Sequence, residues 1–205
     1  MIQSTDNTPT KGELTRQTLI ESAHKLFLQK GYHGTSMRHI AKRAGLALGG
    51  IYNHFASKEE IFQAVILAHH PFLKIFPKFE EATITDITSA EELIRTVTHL
   101  IFAEFEKEPQ LLNLIFIEMI ELNGKNLASL FSVLQPMVFT FIQRIAVLKP
   151  DWRIPSPIVF LRSYIGLIVG VYLTDRFLDK TLSVDGEMGT LDEYLEIYFH
   201  GLFKS

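Results

Sequence analysis

The 205-residue chain is predicted to fold as an all-α protein of nine helices with no sheet. Its apolar residues recur every three or four positions along nearly the whole length, which is the spacing that places them on one face of a helix. No stretch alternates apolar and polar residues as a half-buried strand would. Two Ser-x-x-Glu capping boxes, beginning at Ser57 and Ser89, have the pattern of helix N-termini.

Apolar stripes predict four N-terminal helices over residues 19–27, 37–44, 47–55 and 57–71. Gly31 and Gly45 follow the first two stripes, in the position where glycine commonly ends a helix. Ser57 caps the fourth helix, with Glu60 as its third helical residue. Pro71 must kink or end that helix, because proline has no N–H to donate.

After a polar loop at residues 77–88, five more stripes predict helices over residues 93–101, 111–119, 127–145, 158–177 and 191–202. Pro109 suits the first turn of the second of these, and Asn123-Gly124 ends it. Pro136 lies inside the third, where we expect a bend.

Composition excludes several classes of protein. Hydrophobic residues make up 47% and charged residues 21% of the chain, as in an ordinary globular protein. The absence of cysteine excludes disulfides, thiolate metal sites and a cysteine nucleophile, and agrees with a reducing cytoplasm. The polar N-terminus lacks the apolar segment of a signal peptide, and the apolar region at Ile158–Leu173 contains Arg162 and is too short to cross a bilayer. We therefore expect a cytoplasmic protein with no membrane partner.

The N-terminal quarter is basic and the remainder is acidic. From Arg16 to Lys58 there are seven basic residues and one acidic residue, a net charge of +6, whereas residues 59–205 carry −8. A basic segment joined to an acidic body indicates contact with a polyanion at one end of the chain. A chance fluctuation of solvated charge is the alternative, and charge alone does not separate the two.

The segment from Gly34 to Lys58 matches a helix-turn-helix, with Ala44-Gly45-Leu46 as the turn. In its second helix the helical repeat turns Ile51 and Phe55 inward and leaves Gly49, Gly50 and Asn53 outward. Each glycine costs such a helix about 1 kcal/mol relative to alanine. Missing side chains allow a close approach of the backbone, so this helix is predicted to lie against another molecule.

In these residues the chain resembles the TetR family of bacterial transcriptional regulators. The resemblance covers about residues 14–62, and its residues are Phe27, Gly31-Tyr32, Thr35, Ile40-Ala41, Ala44-Gly45, 49–55 and Ser57-Lys58-Glu59-Glu60. It implies a DNA-binding domain at residues 1–56, an effector-binding and dimerisation domain at 57–205, and a homodimeric repressor that a small molecule releases from a palindromic operator. Many members have a basic or hydroxyl residue in place of Leu48 and a bulkier polar residue in place of Gly50, so few sequence-specific contacts are expected.

The predicted DNA-binding residues are Thr35, Ser36, Arg38, Leu48, Gly49, Gly50, Tyr52, Asn53, His54 and Lys58. Several lie at or near helix N-termini, where free N–H groups favour anions such as phosphate. Tyr52 offers a hydroxyl at the edge of the helix, and Asn53 has the amide geometry that binds adenine. The alternatives are a packing role for Tyr52 or Leu48 and a solvated surface position for His54 or Lys58.

No catalytic, metal or cofactor site is predicted. His69 and His70 are adjacent and point about 100° apart on a helix, so they cannot both bind one metal from one face. His99 and Glu118 could join one of them only through the tertiary fold. The sequence has no glycine-rich phosphate loop after a strand and no serine on a nucleophile elbow, so we predict that the chain is not an enzyme.

A mostly apolar small molecule is predicted to bind within the C-terminal helices, where cavities between helices commonly hold ligands. The candidate lining residues are Phe102, Phe105, Phe116, Glu118, Phe141 and Arg162. The phenylalanines have a plain core role as their alternative. Glu118 and Arg162 either pair with each other when buried, or one of them binds the charged end of a ligand.

A homodimer is predicted because residues 158–177 are apolar on nearly every side. Gly166 and Gly170 would allow another helix to approach closely. Together with Leu195 and Phe199 on the last helix, they would form a four-helix interface about a two-fold axis. The alternative is a central core helix in a monomer.

Two further hypotheses concern how an effector signal reaches the DNA-reading helices and which other function the chain could have. Pro71 gives the helix from Ser57 a kink, through which an effector would change the separation of the two DNA-reading helices. The alternative function is a helical small-molecule carrier that does not bind DNA, but this leaves the basic segment and the outward glycines unexplained.

Overall fold

The computed structural model describes residues 9–77, 86–148, 156–182 and 189–202. Within these ranges the chain forms ten α-helices and no strand: α1 (Lys11–Lys30), α2 (Met37–Arg43), α3 (Leu48–Tyr52), α4 (Lys58–His69), α5 (Pro71–Ile75), α6 (Ala90–Lys107), α7 (Leu111–Glu121), α8 (Leu127–Val147), α9 (Pro157–Leu182) and α10 (Leu191–Leu202). The predicted all-α class is confirmed.

The one additional helix is α5, which follows directly after α4. Pro71 ends α4 as predicted, and His70 before it has the extended backbone that a following proline imposes (ψ 123°). Proline is tolerated in the first turn of a helix, because no intrahelical acceptor faces its missing N–H there. Pro71 therefore separates two helices where the sequence indicated one.

Both predicted capping residues begin their helices. The Ser57 hydroxyl accepts a hydrogen bond from the Glu60 N–H at 3.1 Å, and the Glu60 carboxylate accepts one from the Ala56 N–H at 2.7 Å. The Ser89 hydroxyl accepts from the Glu92 N–H at 3.1 Å. Each bond to a serine hydroxyl satisfies an N–H that the first helical turn would otherwise leave without a partner, and the bond from Ala56 holds the residue before the cap.

Three helix ends show where the sequence analysis succeeded and where it did not. α1 begins at Lys11, well before the predicted stripe, because Thr10 and Glu13 form a reciprocal capping box. Pro109 lies in the turn before α7 rather than in its first turn, which corrects the prediction. Asn123 and Gly124 both have positive φ angles, 52° and 70°, just after α7 ends, as predicted.

The chain divides into two compact units. The first unit comprises Met1–Leu73 and Glu108–Val133, and the second comprises Lys74–Lys107 and Leu134–Ser205. These units describe packing, so the predicted functional boundary between residues 56 and 57 stays a prediction.

The core of the first unit forms where α1 packs against α4. Fully or nearly fully buried side chains from both helices meet there: Leu19, Ala23, Phe27, Ile61, Phe62 and Val65. The ring of Phe27 meets the ring of Phe62 edge to face, with 5.0 Å between centroids. Burial of each large side chain contributes about 1.5–3 kcal/mol, so this contact fixes α4 against α1.

The core of the second unit is built from α6, α9, α10 and the later part of α8. Phe141, Phe160 and Tyr164 form an aromatic cluster in which the Phe160 and Tyr164 rings stack at 5.6 Å. The Thr98 hydroxyl lies 2.8 Å from the Tyr164 hydroxyl and also donates to the Ile94 carbonyl at 2.6 Å. Because its only proton is used in the second bond, Tyr164 must donate the first.

Two helices are long and apolar enough to cross a membrane by length and composition alone. They lie at Leu127–Val147 and Pro157–Phe177, and 11% and 28% of the most apolar 18-residue stretch of each is buried in the chain. The expectation that the apolar region around Ile158 is too short to span was therefore wrong. Such exposed apolar faces also suit contact with a second protein chain.

We predict that Thr98→Val destabilises the protein more than Tyr164→Phe does. The valine leaves the buried Tyr164 hydroxyl without an acceptor, at a cost of about 1–3 kcal/mol, whereas the phenylalanine leaves only a spare lone pair on Thr98. Urea unfolding at fixed protein concentration measures both free energies of unfolding. Equal destabilisation by the two variants would contradict the assigned direction of this hydrogen bond.

Candidate DNA-binding site

The helix-turn-helix consists of α2, a glycine turn and α3. The Ser36 hydroxyl caps α2 by accepting from the His39 N–H at 3.2 Å. Gly45 has a φ of 72°, and the Leu46 N–H donates to the Ala41 carbonyl at 2.9 Å. This is the Schellman arrangement, which needs a left-handed residue and therefore favours glycine. The turn fixes the direction in which α3 leaves α2.

α3 is shorter than predicted and presents the predicted face. It covers five residues, Leu48–Tyr52, instead of the expected nine, and residues 53–54 continue it as a turn. Ile51 and Phe55 are buried, whereas the Tyr52 side chain is 54% exposed. The inward assignments of Ile51 and Phe55 are confirmed, as are the outward assignments of Gly49 and Asn53, whereas Gly50 is half-buried.

Among the residues that the structure describes, nothing packs closely against the two glycines of α3. A Cβ atom at Gly49 would meet nothing within 4 Å, and one at Gly50 would lie 3.9 Å from Leu46 Cβ, an ordinary contact. Neither residue has a positive φ. Neither backbone strain nor steric conflict within the described part of the chain therefore explains these glycines, so the bare surface is available for contact with another molecule.

Polar and basic side chains surround this bare surface. Asn53 is exposed and His54 is half-buried after the end of α3, and Leu48 is 37% exposed at its start. Arg38 is exposed on α2, as are Lys42 and Arg43 in the last turn of that helix, and half-buried Ser36 precedes it. The chemistry of this surface suits a polyanion.

Thr35 requires a correction. Its side chain is only 2% exposed, and its hydroxyl lies within hydrogen-bond distance of the Leu26 carbonyl at 3.2 Å and the Gly31 carbonyl at 2.9 Å. The side chain therefore holds the end of α1 and the following loop and is not presented to a DNA backbone. Helical spacing placed Thr35 correctly before α2, but it could not show that the end of α1 buries the Thr35 side chain.

Lys58 has a structural partner that the sequence did not reveal. Its ammonium donates to the Tyr32 carbonyl at 2.6 Å and to the Thr35 carbonyl at 2.7 Å, and it lies 4.0 Å from the centre of the Tyr32 ring. Burial lowers the pKa of Lys58 somewhat. The first turn of α4 thus holds the loop between α1 and α2. Only one of the three N–H donors of the Lys58 ammonium is left for a phosphate.

Glu121 at the end of α7 also holds this loop, which sequence analysis missed. Its carboxylate accepts from the His33 N–H at 2.7 Å, and its carbonyl lies 3.1 Å from His33 Nε2. Gly31, with a φ of 71°, leaves room for this carboxylate, because a Cβ there would clash with it. The pair is separated by 88 positions in sequence, so no local pattern could indicate it.

The predicted ligand-binding residues are dispersed in the fold. Phe105 and Phe141 are buried against other rings of the second unit, and Phe102 is half-buried next to Phe105. This matches the core alternative for Phe105 and Phe141. Phe116 is half-buried on α7, in the first unit.

The two charged residues predicted with them do not form a buried pair. Glu118 is fully buried, and its carboxylate accepts from the Asn126 N–H at 2.5 Å and from the Asn126 side-chain amide at 2.9 Å. Arg162 is exposed on α9. Each Glu118 oxygen is thus used by the turn after α7, which excludes the first of the two alternatives, a buried pair of Glu118 with Arg162.

The predicted dimerisation residues divide into two groups. Gly166 and Gly170 are exposed on α9, and a Cβ atom added at either position would meet nothing within 4 Å. Leu195 and Phe199 are instead 0% and 3% exposed inside the second unit, and Arg95 lies over the Phe199 ring at 5.3 Å. These two belong to the core of the protomer, and exposed Ile197 lies on the other face of α10.

The N-terminal part of the chain is similar to a known family of proteins. The family model described as bacterial regulatory proteins, tetR family, matches residues 19–65, which span the helix-turn-helix and the first part of α4. The transcriptional regulator UidR of Escherichia coli is 39% identical over 62 residues, which are 30% of this chain and 32% of UidR. The chain thus matches about a third of the length of that relative.

Two further comparisons extend over most of the chain. The transcriptional regulator YhgD of Bacillus subtilis is 28% identical over 160 residues, covering 75% of this chain and 82% of YhgD. The crystal structure of NalD from Pseudomonas aeruginosa superposes with a TM-score of 0.62 at 23% identity, covering 95% of this chain and 100% of NalD. The last comparison shows a shared fold.

We predict that Lys58→Met lowers the free energy of unfolding by about 1 kcal/mol in the absence of DNA, because two carbonyl groups lose a charged donor. Lys42→Met, at an exposed position on α2, is the matched control and should change it by less than about 0.5 kcal/mol. Urea unfolding provides the measurement. Identical free energies of unfolding for the two variants would show that Lys58 does not stabilise the loop between α1 and α2.

Proposed function

Since the chain belongs to the TetR family of bacterial transcriptional regulators, we propose that it regulates transcription by binding double-stranded DNA through α3. The observation that carries this proposal is the outward face of α3, where two glycines have open space and no role within the chain. A helix that enters the major groove benefits from such a face, because its backbone approaches the base edges. The relatives are transcriptional regulators, so no catalytic role is proposed.

The surrounding side chains supply two kinds of contact. Ser36 and Arg38 contact phosphates and position the domain, with salt-dependent affinity. Tyr52, Asn53 and His54 reach the groove at the end of α3, while Leu48 contacts a thymine methyl group or packs at its edge. Because Gly49 and Gly50 offer no side chains, base-specific contacts are few. Sequence preference then depends partly on the shape of the duplex.

We further propose that the protein acts as a homodimer on a palindromic operator. The exposed face of α9 carries Ile158, Ile165, Gly166, Gly170 and Phe177, and exposed Ile197 lies on α10. Such a face is self-complementary about a two-fold axis and would bury apolar surface that the protomer leaves in water. Two α3 helices about 34–36 Å apart would then fit successive major grooves.

A mostly apolar small molecule is proposed as the effector that releases a repressor from DNA. NalD is described as the secondary repressor of a multidrug efflux pump, which supports this direction of regulation. A cavity of 240 Å³ lies between α4 and the start of α8 in the first unit, with walls formed by Ile66, Leu67, Leu130 and Val133 and polar groups from Gln63 and Asn126. Its walls are mostly apolar, and its volume is below the roughly 300–1,000 Å³ of ordinary ligand pockets, so it would hold only a small ligand. Gln63 donates to Asn126 at 2.8 Å across one side of it.

The break between α4 and α5 at Pro71 is proposed as the element that an effector shifts, because it separates the helix carrying Lys58 from the following helices.

The proposed location of the protein is the bacterial cytoplasm, which contains the DNA that it would bind. The exposed apolar faces of α8 and α9 are accordingly assigned to protein contacts.

We predict that Tyr52→Ala reduces operator affinity by about five- to 150-fold, since a groove-edge contact is worth about 1–3 kcal/mol. Its thermal unfolding should be unchanged, because the side chain is 54% exposed. The operator is first selected from a pool of random duplexes and from DNA upstream of the gene. Fluorescence anisotropy then measures affinity at several salt concentrations.

Met119→Ala, which truncates an apolar side chain that is 54% exposed on α7, is the matched control and should bind like wild type. If no duplex is enriched at low salt, or if Tyr52→Ala retains full affinity for a selected duplex, α3 is not the DNA-reading helix.

A second prediction concerns assembly. Gly170→Leu fits the protomer, since nothing lies near its Cβ position, but it blocks close helix approach in the proposed interface. We expect sedimentation to show a monomer and operator binding to weaken. Glu106→Leu, at an exposed position on α6, is the control and should leave the dimer intact. A wild-type chain that sediments as a monomer at micromolar concentration would overturn the dimer proposal.

A further inference from the structure

The contact between α1 and α4 contains two histidines that DNA binding does not use. His24 on α1 and His69 on α4 are 8% and 7% exposed, and their rings lie 3.8 Å apart between centroids with a tilt of 35°. Both belong to the first unit. Sequence analysis compared His69 only with its neighbour His70 and with distant candidates, so it missed this partner on α1.

The buried nitrogens of these rings lack hydrogen bonds. In the described part of the chain, His24 Nε2 and both ring nitrogens of His69 have no hydrogen-bond partner. A buried polar group left without a partner costs about 1–3 kcal/mol, and an apolar side chain at either position would avoid that cost. Burial, followed by the neighbouring His69 ring, lowers the pKa of His24 to about 4, so its imidazole is neutral at neutral pH. A neutral imidazole is the form that binds metal ions.

Two carboxylates lie next to the histidine pair. Glu21 Oε1 is 3.9 Å from His69 Nε2, and Glu108 Oε2 is 3.3 Å from His69 Nδ1. Neither contact has the geometry of a hydrogen bond, and the Glu21 side chain is 44% exposed. His69 thus has a carboxylate near each ring nitrogen, one of them reachable from solvent.

The separations of these groups suit a first-row metal ion. One donor atom from each of Glu21, His24 and His69 can be chosen so that all three lie within 4.8 Å of one another. Bonds of about 2.0–2.2 Å to a tetrahedral ion place donor atoms about 3.3 Å apart, so side-chain rotation suffices to close the set. Two imidazoles and one carboxylate are a known donor combination for zinc, with the fourth position left to water.

We propose that Glu21, His24 and His69 bind a divalent transition-metal ion of the zinc type. Glu108 would accept the Nδ1 proton of His69 and so orient that ring, as carboxylates beside metal-bound histidines commonly do. The half-exposed Glu21 side provides the route for the ion. The bound ion would join α1 to α4, and this site does not depend on the proposed DNA binding.

The test uses the full-length protein after treatment with a chelator, titrated with Co²⁺ and then with Zn²⁺. Co²⁺ bound by nitrogen and oxygen donors in four-coordinate geometry gives visible absorption bands, which Zn²⁺ should abolish by displacement. We expect one ion per chain and a rise of the thermal midpoint with Zn²⁺, since an ion that binds only the folded state stabilises it.

Two variants locate the ion. His69→Phe keeps a stacked ring but removes its nitrogens and should abolish the bands. Glu21→Gln alters only the half-exposed donor and should weaken Co²⁺ binding by about tenfold or more. The matched control is His99→Gln, which removes an exposed histidine 3.0 Å from a carboxylate oxygen of Asp192, and it should bind as wild type does.

The proposal is wrong if the wild-type chain binds neither ion, because the two rings then form an ion-free stack. It is equally wrong if Glu21→Gln and folded His69→Phe bind Co²⁺ like wild type, or if His99→Gln alone loses the ion. Should His69→Phe fail to fold by circular dichroism, Glu21→Gln decides the outcome.

Discussion

The helix-turn-helix of this protein depends on how the first turn of α4 holds the loop between α1 and α2. The Lys58 ammonium binds two carbonyl groups of that loop and lies over the Tyr32 ring, which packs in turn against Phe27 and Phe62. Ser57 orients this turn by capping α4. The same contact therefore fixes the hydrophobic core, the loop and the direction in which α2 begins.

α3 has little stability of its own, because it covers only five residues and two of them are glycine. Its position is determined by the buried side chains of Ile51 and Phe55 and by the turn at Gly45. Tertiary packing thus supports a helix that intrinsic propensity disfavours. The residues on its exposed surface are therefore free to serve the proposed contact with DNA rather than helix formation.

Periodicity and capping patterns were sufficient to predict nine of the ten helices of the described residues, the end of α4 at Pro71 and the buried face of α3, because each depends on residues close in sequence. The burial of Thr35 and the contact of Glu121 with His33 depend on helices that meet only in the fold. Leu195 and Phe199 were misassigned because an apolar stripe does not reveal whether it faces its own core or another chain. His24 and His69 are separated by 45 positions in sequence, so their stacking likewise follows from tertiary packing.

The glycines of the N-terminal region fall into two kinds with different consequences for sequence change. Gly31 and Gly34 are required by the fold, since Gly31 has a left-handed φ of 71° that strains other residues and a side chain at Gly34 would clash with the Lys30 backbone carbonyl. Gly49 and Gly50 tolerate larger residues without cost to folding, since the space around them is open. If α3 binds DNA as proposed, replacing the second pair while retaining the first would change the sequence preference and leave the fold intact.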